Sequence, residues 1–186
     1  MELHPSSWLE LSGVTTIGSF ICKTSRIDAM ARIDAPEGTR LSSLGRVVQS
    51  VTIVIPVKTL KCNKPGMTPN LFKALKLSQF PEIVFRQTTY VLSGATSLDA
   101  PFTVESTGEL TIAGVTRVIQ MPVRTDRTPE GDARVRGEHP LLMTDYGIKP
   151  PKLAMGTLKT QDRIVVRFNL SAAPRTIAAL ARHPVE

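Results

Sequence analysis

"GELTIAGVTRVIQMPVRT", Gly108 to Thr125, reads as a β-hairpin whose two arms are patterned differently. Successive side chains of a strand point to opposite faces, so a strand lying on one core alternates apolar and polar residues. In the arm leading in, Phe102, Val104, Leu110 and Ile112 share one parity. Thr103, Glu105, Thr107, Glu109 and Thr111 take the other, and Ala113-Gly114 supplies the turn. The returning arm puts Val115, Ile119, Met121 and Val123 on one parity, with Arg117 among them and Val118 opposite. The outward Val118 is expected to pack under a helix and loops.

The same period-two reading extends along the chain. Ser6 to Gly13, Thr16 to Asp28, Arg46 to Leu60, Glu82 to Gly94, Asp132 to Gly147 and Asp162 to Ala172 are each strand-like, which with the hairpin makes about eight strands. In the third, Val51, Ile53, Ile55 and Val57 share a face, and Pro56, which donates no ladder hydrogen bond, marks an edge or a bulge. An edge there would let two copies of the chain pair as a homodimer. One helix interrupts the strands in "GMTPNLFKALKLSQFP". Thr68 suits its N-cap and Pro69 its first position, and Leu71, Phe72 and Leu75 form an apolar stripe opposed by Lys73 and Lys76. The tail "RTIAALARHPVE" has weak helix propensity, and "IKPPKLAMG" is a candidate flap.

Strands joined mostly by hairpins predict an all-β antiparallel barrel or sandwich, with the helix at an edge or mouth. A closed eight-stranded barrel has an interior wide enough for one ligand or for side chains alone, and alternation reports which face is buried, not what fills it. The inward parity takes in Phe20, Ile53, Ile55, Phe85, Phe102, Val104, Leu110, Ile112, Ile119, Met121, Ile164, Val166 and Phe168, with Phe72 and Leu75 from the helix near an open end. These are the candidate ligand-lining residues, and each also suits an ordinary core position.

Length and composition agree. The 186 residues, 41% hydrophobic and 21% charged, suit one globular domain over residues 1–186, with no apolar run long enough to span a bilayer. No signal-peptide pattern opens the chain. The formal charge of +7 is concentrated between Gly38 and Pro81, where Arg40, Arg46, Lys58, Lys61, Lys64, Lys73 and Lys76 meet no acidic residue. Such a segment is either a solvated face or a surface for an anionic membrane or acidic partner. Nucleic acid is not expected, because basic and aromatic residues do not interleave as in a base-stacking platform. His4, His139 and His183 are scattered with no metal-ligand spacing, no Gly-x-Ser-x-Gly elbow occurs, and Asp145 stands without a second carboxylate. Neither metal, cofactor nor catalysis is expected.

Leu110-Thr111-Ile112, Gly114 and Thr116-Arg117 resemble the signature hairpin of the YceI-like family. "FPEIVF" (Phe80 to Phe85), "TDYGI" (Thr144 to Ile148) and "VVRFNLSA" are similar to further family blocks in the same order, so the resemblance covers roughly residues 6–173 and leaves 174–186 as a tail. It implies a lipocalin-like barrel, a long apolar lipid such as a polyisoprenoid or isoprenoid quinone in a central tunnel, and export to the periplasm or beyond. Met143 stands near the place where family members often have Arg, and Asn70-Leu71 where a His-Leu pair is common, so no headgroup residue carries over. An exported setting favours a Cys22–Cys62 disulfide over two buried thiols.

Overall fold

The computed structural model describes residues 3–33, 48–93, 101–153 and 158–172. Its strands are β1 (Trp8–Thr15), β2 (Gly18–Thr24), β3 (Asp28–Ile33), β4 (Val48–Pro56), β5 (Lys61–Cys62), β6 (Glu82–Ser93), β7 (Phe102–Ile112), β8 (Val115–Arg127), β9 (Ala133–Leu142), β10 (Lys152–Leu153) and β11 (Leu158–Ala172). Helix α1 spans Met67–Ala74, and 3-10 turns cover Val57–Thr59 and Met143–Tyr146. The strands form one antiparallel sheet in the order β3-β4-β6-β7-β8-β9-β11-β1-β2-β5, with β10 beside β11.

The two ends of that order meet through the chain. β3 continues β2 beyond a bend at residues 25–27, and β5 continues β4 beyond the Val57–Thr59 turn. Because β2 pairs with β5 at Cys22–Cys62 while β3 pairs with β4 from Asp28–Val54, one bent ribbon joins the ends and the sheet curls back on itself. The eleven strands against the expected eight therefore reflect two bends and the two-residue β10. At the bend, the Thr24 and Thr59 hydroxyls lie 2.8 Å apart and Thr59 donates to the Pro56 carbonyl at 2.7 Å. Val57 and Leu60 drive inward there, 1% and 0% exposed. Cys22 and Cys62, register partners, are joined in a disulfide.

Pro56 closes β4 at this bend, paired with Glu82, and β4 has β3 on one side and β6 on the other. The β3 ladder ends at Asp28–Val54, so at Pro56 itself β4 has a ladder partner on the β6 side only, as suits a residue that donates no ladder hydrogen bond.

Two ladders in the wall stop short. β4 and β6 pair from Thr52–Arg86 to Pro56–Glu82, and β8 and β9 only from Val123–Gly137 to Arg127–Ala133. Beyond Val123 the 3-10 turn at Met143–Tyr146 fills in, and Arg117 Nε donates to the Asp145 carbonyl at 2.9 Å.

The helix end of the curl gathers α1, the β1–β2 turn, the β7–β8 turn and the 3-10 turn at 143–146. Leu60, Met67, Leu75, Met143, Tyr146 and Ile148 are buried there among Ile55, Ile83, Ile112 and Ile164. Leu75 thus belongs to a packed core, and Phe72 is half-buried against it. α1 begins one residue earlier than its expected cap. Gly66, at a φ of 71° that suits glycine, takes the N-cap position. Thr68 is already inside the helix, its hydroxyl accepting from the Cys62 N–H at 3.0 Å, so it ties α1 to β5 instead of capping it. The candidate flap is held down as far as it is described: Ile148 is buried and β10 pairs with β11. The weak helix of the tail lies outside the described residues.

Val118 corrects another expectation. It is 71% exposed, so it is not packed under a helix or loop.

Candidate ligand-binding interior

Away from the helix end, the inner face is lined by apolar side chains that are less completely buried. A second cluster of Phe85, Met121 and Val123 is buried, and Ile53, Val104, Leu110, Ile119, Val135 and Phe168 pack on it while only half-buried. These apolar groups come from six strands that present inward-facing positions to one another. Register builds the arrangement: Val104 faces Val123, Gly108 faces Ile119, and Phe85 faces Leu110 and Ile53.

Glycines give this wall its smooth inner surface. Gly13, Gly108 and Gly137 each lie under an aromatic ring from the neighbouring strand, and a Cβ added at any of them would meet that ring within 2.7 Å. The rings are Phe20 over Gly13, Phe85 over Gly108 and Phe168 over Gly137. A ring seated in the space where a neighbour lacks a side chain lies along the wall instead of across the interior.

The candidate lining residues on the strands share this inner side, while Leu75 and Phe72 sit on α1, Phe72 at the rim of the helix end. Phe20, Ile55, Leu75, Phe85, Ile112, Met121 and Ile164 are buried, and Ile53, Phe72, Phe102, Val104, Leu110, Ile119, Val166 and Phe168 are half-buried. The structure divides them by level: Phe20, Ile55, Leu75, Ile112 and Ile164 join the helix-end core, whereas Phe85 and Met121 belong to the second cluster.

Three inward polar groups were missed in the sequence, Gln87, Tyr90 and Ser106, and His139, read there as scattered, also turns inward. Ser106 is 3% exposed and donates to Gln87 Oε1 at 3.1 Å. A break in the alternation, Phe85-Arg86-Gln87-Thr88-Thr89-Tyr90, was the available signal. The structure resolves it as a bulge between Gln87 and Thr89 that returns Tyr90 and Leu92 to the inside. His139 is half-buried, and burial pushes its imidazole below the usual histidine range.

The helix-end exterior has a separate character. Phe72, Lys73, Lys76, Leu77, Ser78 and Gln79 line a shallow groove of about 750 Å³. On the outer face of the β1–β2 hairpin, Ile17 is 82% exposed, with Val14 and Ile21 also exposed beside it. Among the described residues no three metal-ligating side chains come together.

Comparison with curated protein sequences finds no match. Solved structures do match in fold. Burkholderia cenocepacia BcnA superposes with a TM-score of 0.67 at 14% identity, covering 89% of this chain and 96% of its own. A polyisoprenoid binding domain from Saccharophagus degradans, implicated in plant cell wall breakdown, gives 0.66 at 12% identity, over 92% and 97%. The Campylobacter jejuni YCEI protein gives 0.55 at 16%, over 78% and 80%. The family description "YceI-like domain" matches residues 12–172, from the second half of β1 to the end of β11, and on that match the chain belongs to the YceI-like family.

Proposed function

We propose that the protein binds, sequesters or carries a long apolar lipid of the polyisoprenoid or isoprenoid-quinone kind inside the curled sheet. The observation that carries this reading is the set of inner-face apolar side chains left half-buried: Val104, Leu110, Ile119, Val135, Val166 and Phe168. Apolar groups on the concave side of a sheet gain when a hydrocarbon covers them, at about 0.8 kcal/mol per buried methylene, so affinity rises with chain length. The likeness to a polyisoprenoid binding domain supports the same ligand class. A periplasmic or secreted setting accords with the family and with the Cys22–Cys62 disulfide. Binding, not catalysis, is the role.

The test is organic extraction of the purified protein followed by mass spectrometry, with uptake of offered isoprenoids as the second arm. A stoichiometric lipid, or uptake that strengthens with chain length, is the expected result. Repeated blanks with no uptake overturn the reading.

A second reading, docking on an anionic surface, is favoured by the helix end. Lys58, Lys61, Lys64, Lys73 and Lys76 are exposed on α1 and the segment leading into it, whereas Arg40 and Arg46 of the same basic segment lie outside the described residues. Neutralising Lys61, Lys64, Lys73 and Lys76 together is expected to weaken association with phosphatidylglycerol vesicles at low salt. Unchanged binding returns the patch to plain solvation.

A further inference from the structure

One level of the otherwise oily inner face is polar, and its polarity is uncharged. At the β6 bulge Thr88 turns outward and donates to the Thr107 carbonyl at 3.1 Å. The inserted residue leaves Gln87 and Tyr90 both inward, on either side of the bulge. Tyr90 is the register partner of Ser106, which in turn faces Met121. Ser106 is almost fully buried, and its hydroxyl donates to Gln87 Oε1.

That bond orients the amide. With the carbonyl oxygen of Gln87 engaged by Ser106, its Nε2 carries two N–H donors, and among the described residues it makes no hydrogen bond. Gln87 is half-buried and stands beside Phe85, which rests on Gly108, the register partner of both Gln87 and Ile119. Water reaches this half-buried amide in the free protein, a ligand acceptor would take the water's place, and a few placed polar groups in an apolar lining fix a ligand's orientation.

The charge at this level narrows the acceptor. Among the described residues Gln87, Tyr90, Ser106, Gly108, Ile119 and Met121 contribute no cation, and His139, the inward residue two beyond Gly137 on β9, is held toward its neutral form by burial. Arg117, the next inward position along β8, is turned onto the Asp145 carbonyl at 2.9 Å. A phosphate or diphosphate brought here would be desolvated without a counter-charge.

From this juxtaposition we infer that the Gln87 amide, held by Ser106, is a headgroup subsite for a neutral oxygen acceptor, a hydroxyl or ring carbonyl, carried on a prenyl chain. The inference rests on the lipid-binding reading and narrows it to uncharged oxygenated isoprenoids, excluding prenyl diphosphates.

The experiment measures binding of geranylgeraniol, geranylgeranyl diphosphate and the corresponding hydrocarbon to the full-length chain and to two variants. The wild-type protein is expected to hold the alcohol about fivefold more tightly than the hydrocarbon, the worth of one net hydrogen bond, and to hold the diphosphate worst. Gln87→Leu is expected to bring the alcohol to the hydrocarbon's affinity while hydrocarbon binding stays within about twofold, since the inner surface stays covered. Ser106→Ala frees the amide to rotate and is expected to halve the preference, roughly. Tightest binding of the diphosphate, or an equal effect of Gln87→Leu on all three probes, overturns the subsite. Binding of none of the three by the wild-type protein overturns the lipid reading itself, a distinguishable failure.

Discussion

The ring of Phe168 lies over Gly137, its register partner on β9, and a Cβ placed on the glycine would stand 2.4 Å from the ring. The pair shapes the inner wall at this level, because the ring occupies space that any other residue at position 137 would fill. Gly137→Ala is expected to push the ring inward, lowering stability by about 1–3 kcal/mol as overpacking does. It should also reduce uptake of a long isoprenoid. Thermal denaturation and ligand titration check the two effects, and an unchanged midpoint with unchanged uptake would remove Gly137 from this role.

Ile119 tests the interior from a half-buried position. Ile119→Arg places a charge where the proposed ligand's chain would lie, while the residue's partial exposure leaves room for the guanidinium to reach water. The folded protein is expected to survive with at least about tenfold weaker isoprenoid binding, since an apolar chain would have to desolvate the cation. Undiminished binding by the folded variant would move the ligand elsewhere.

The disulfide closes a loop with a sequence separation of 40. In the chain-entropy account such a loop contributes on the order of 4 kcal/mol. The double variant Cys22→Ala, Cys62→Ala is expected to melt well below the wild type, and reductant should lower the wild-type midpoint toward that of the variant. Thiol titration of unfolded, unreduced protein should find no free cysteine. Two free thiols would remove the bridge from the fold.

Acid should act on two groups in separate windows. Burial lowers the His139 value in the fold relative to about 6.5 for an unperturbed imidazole. Between the two values the unfolded chain binds the extra proton, so this contribution is full above about pH 6.5 and is lost as pH falls through the folded value. Asp126 lies lower still. A hydrogen bond from Arg134 is the largest influence holding it down, against the opposing effect of burial and with the Arg136 charge assisting. Arg134 Nε and Nη2 reach its two oxygens at 2.8 and 3.0 Å, and Arg136 also donates to it. Its contribution is present above about pH 3.9 and fades as pH falls through the depressed value. Chemical denaturation from pH 8 to 3 should show His139→Gln flattening the upper change and Asp126→Asn the lower. Parallel curves in either variant would sink that assignment.

Which face of each strand turns inward was legible from alternation alone, because burial on one side of a sheet leaves a period-two record. The inward parity of Phe20, Ile55, Phe85, Ile112 and Ile164 is that record. What alternation does not carry is where it pauses. The bends that divide β2 from β3 and β4 from β5 preserve apolar residues on the inside, with Val57 and Leu60 filling the gap, so they look continuous in the sequence. The bulge at Thr88 inverted the parity of everything after it in β6, which hid Tyr90. Thr68 misled through chemistry: its hydroxyl suits a cap and also suits a strand N–H, and tertiary placement chose the strand. Val118 shows the converse limit, since an outward valine in a strand needs no neighbour to cover it.

The early end of the β8–β9 ladder has a mechanical consequence. A curled sheet stitched by Cys22–Cys62 on one side and unlaced past Val123–Gly137 on another does not dilate evenly. Strain from a bulky cargo would concentrate along the unlaced seam, where one arginine tether to Asp145 takes the place of a run of backbone rungs, and the stitched flank would act as its hinge.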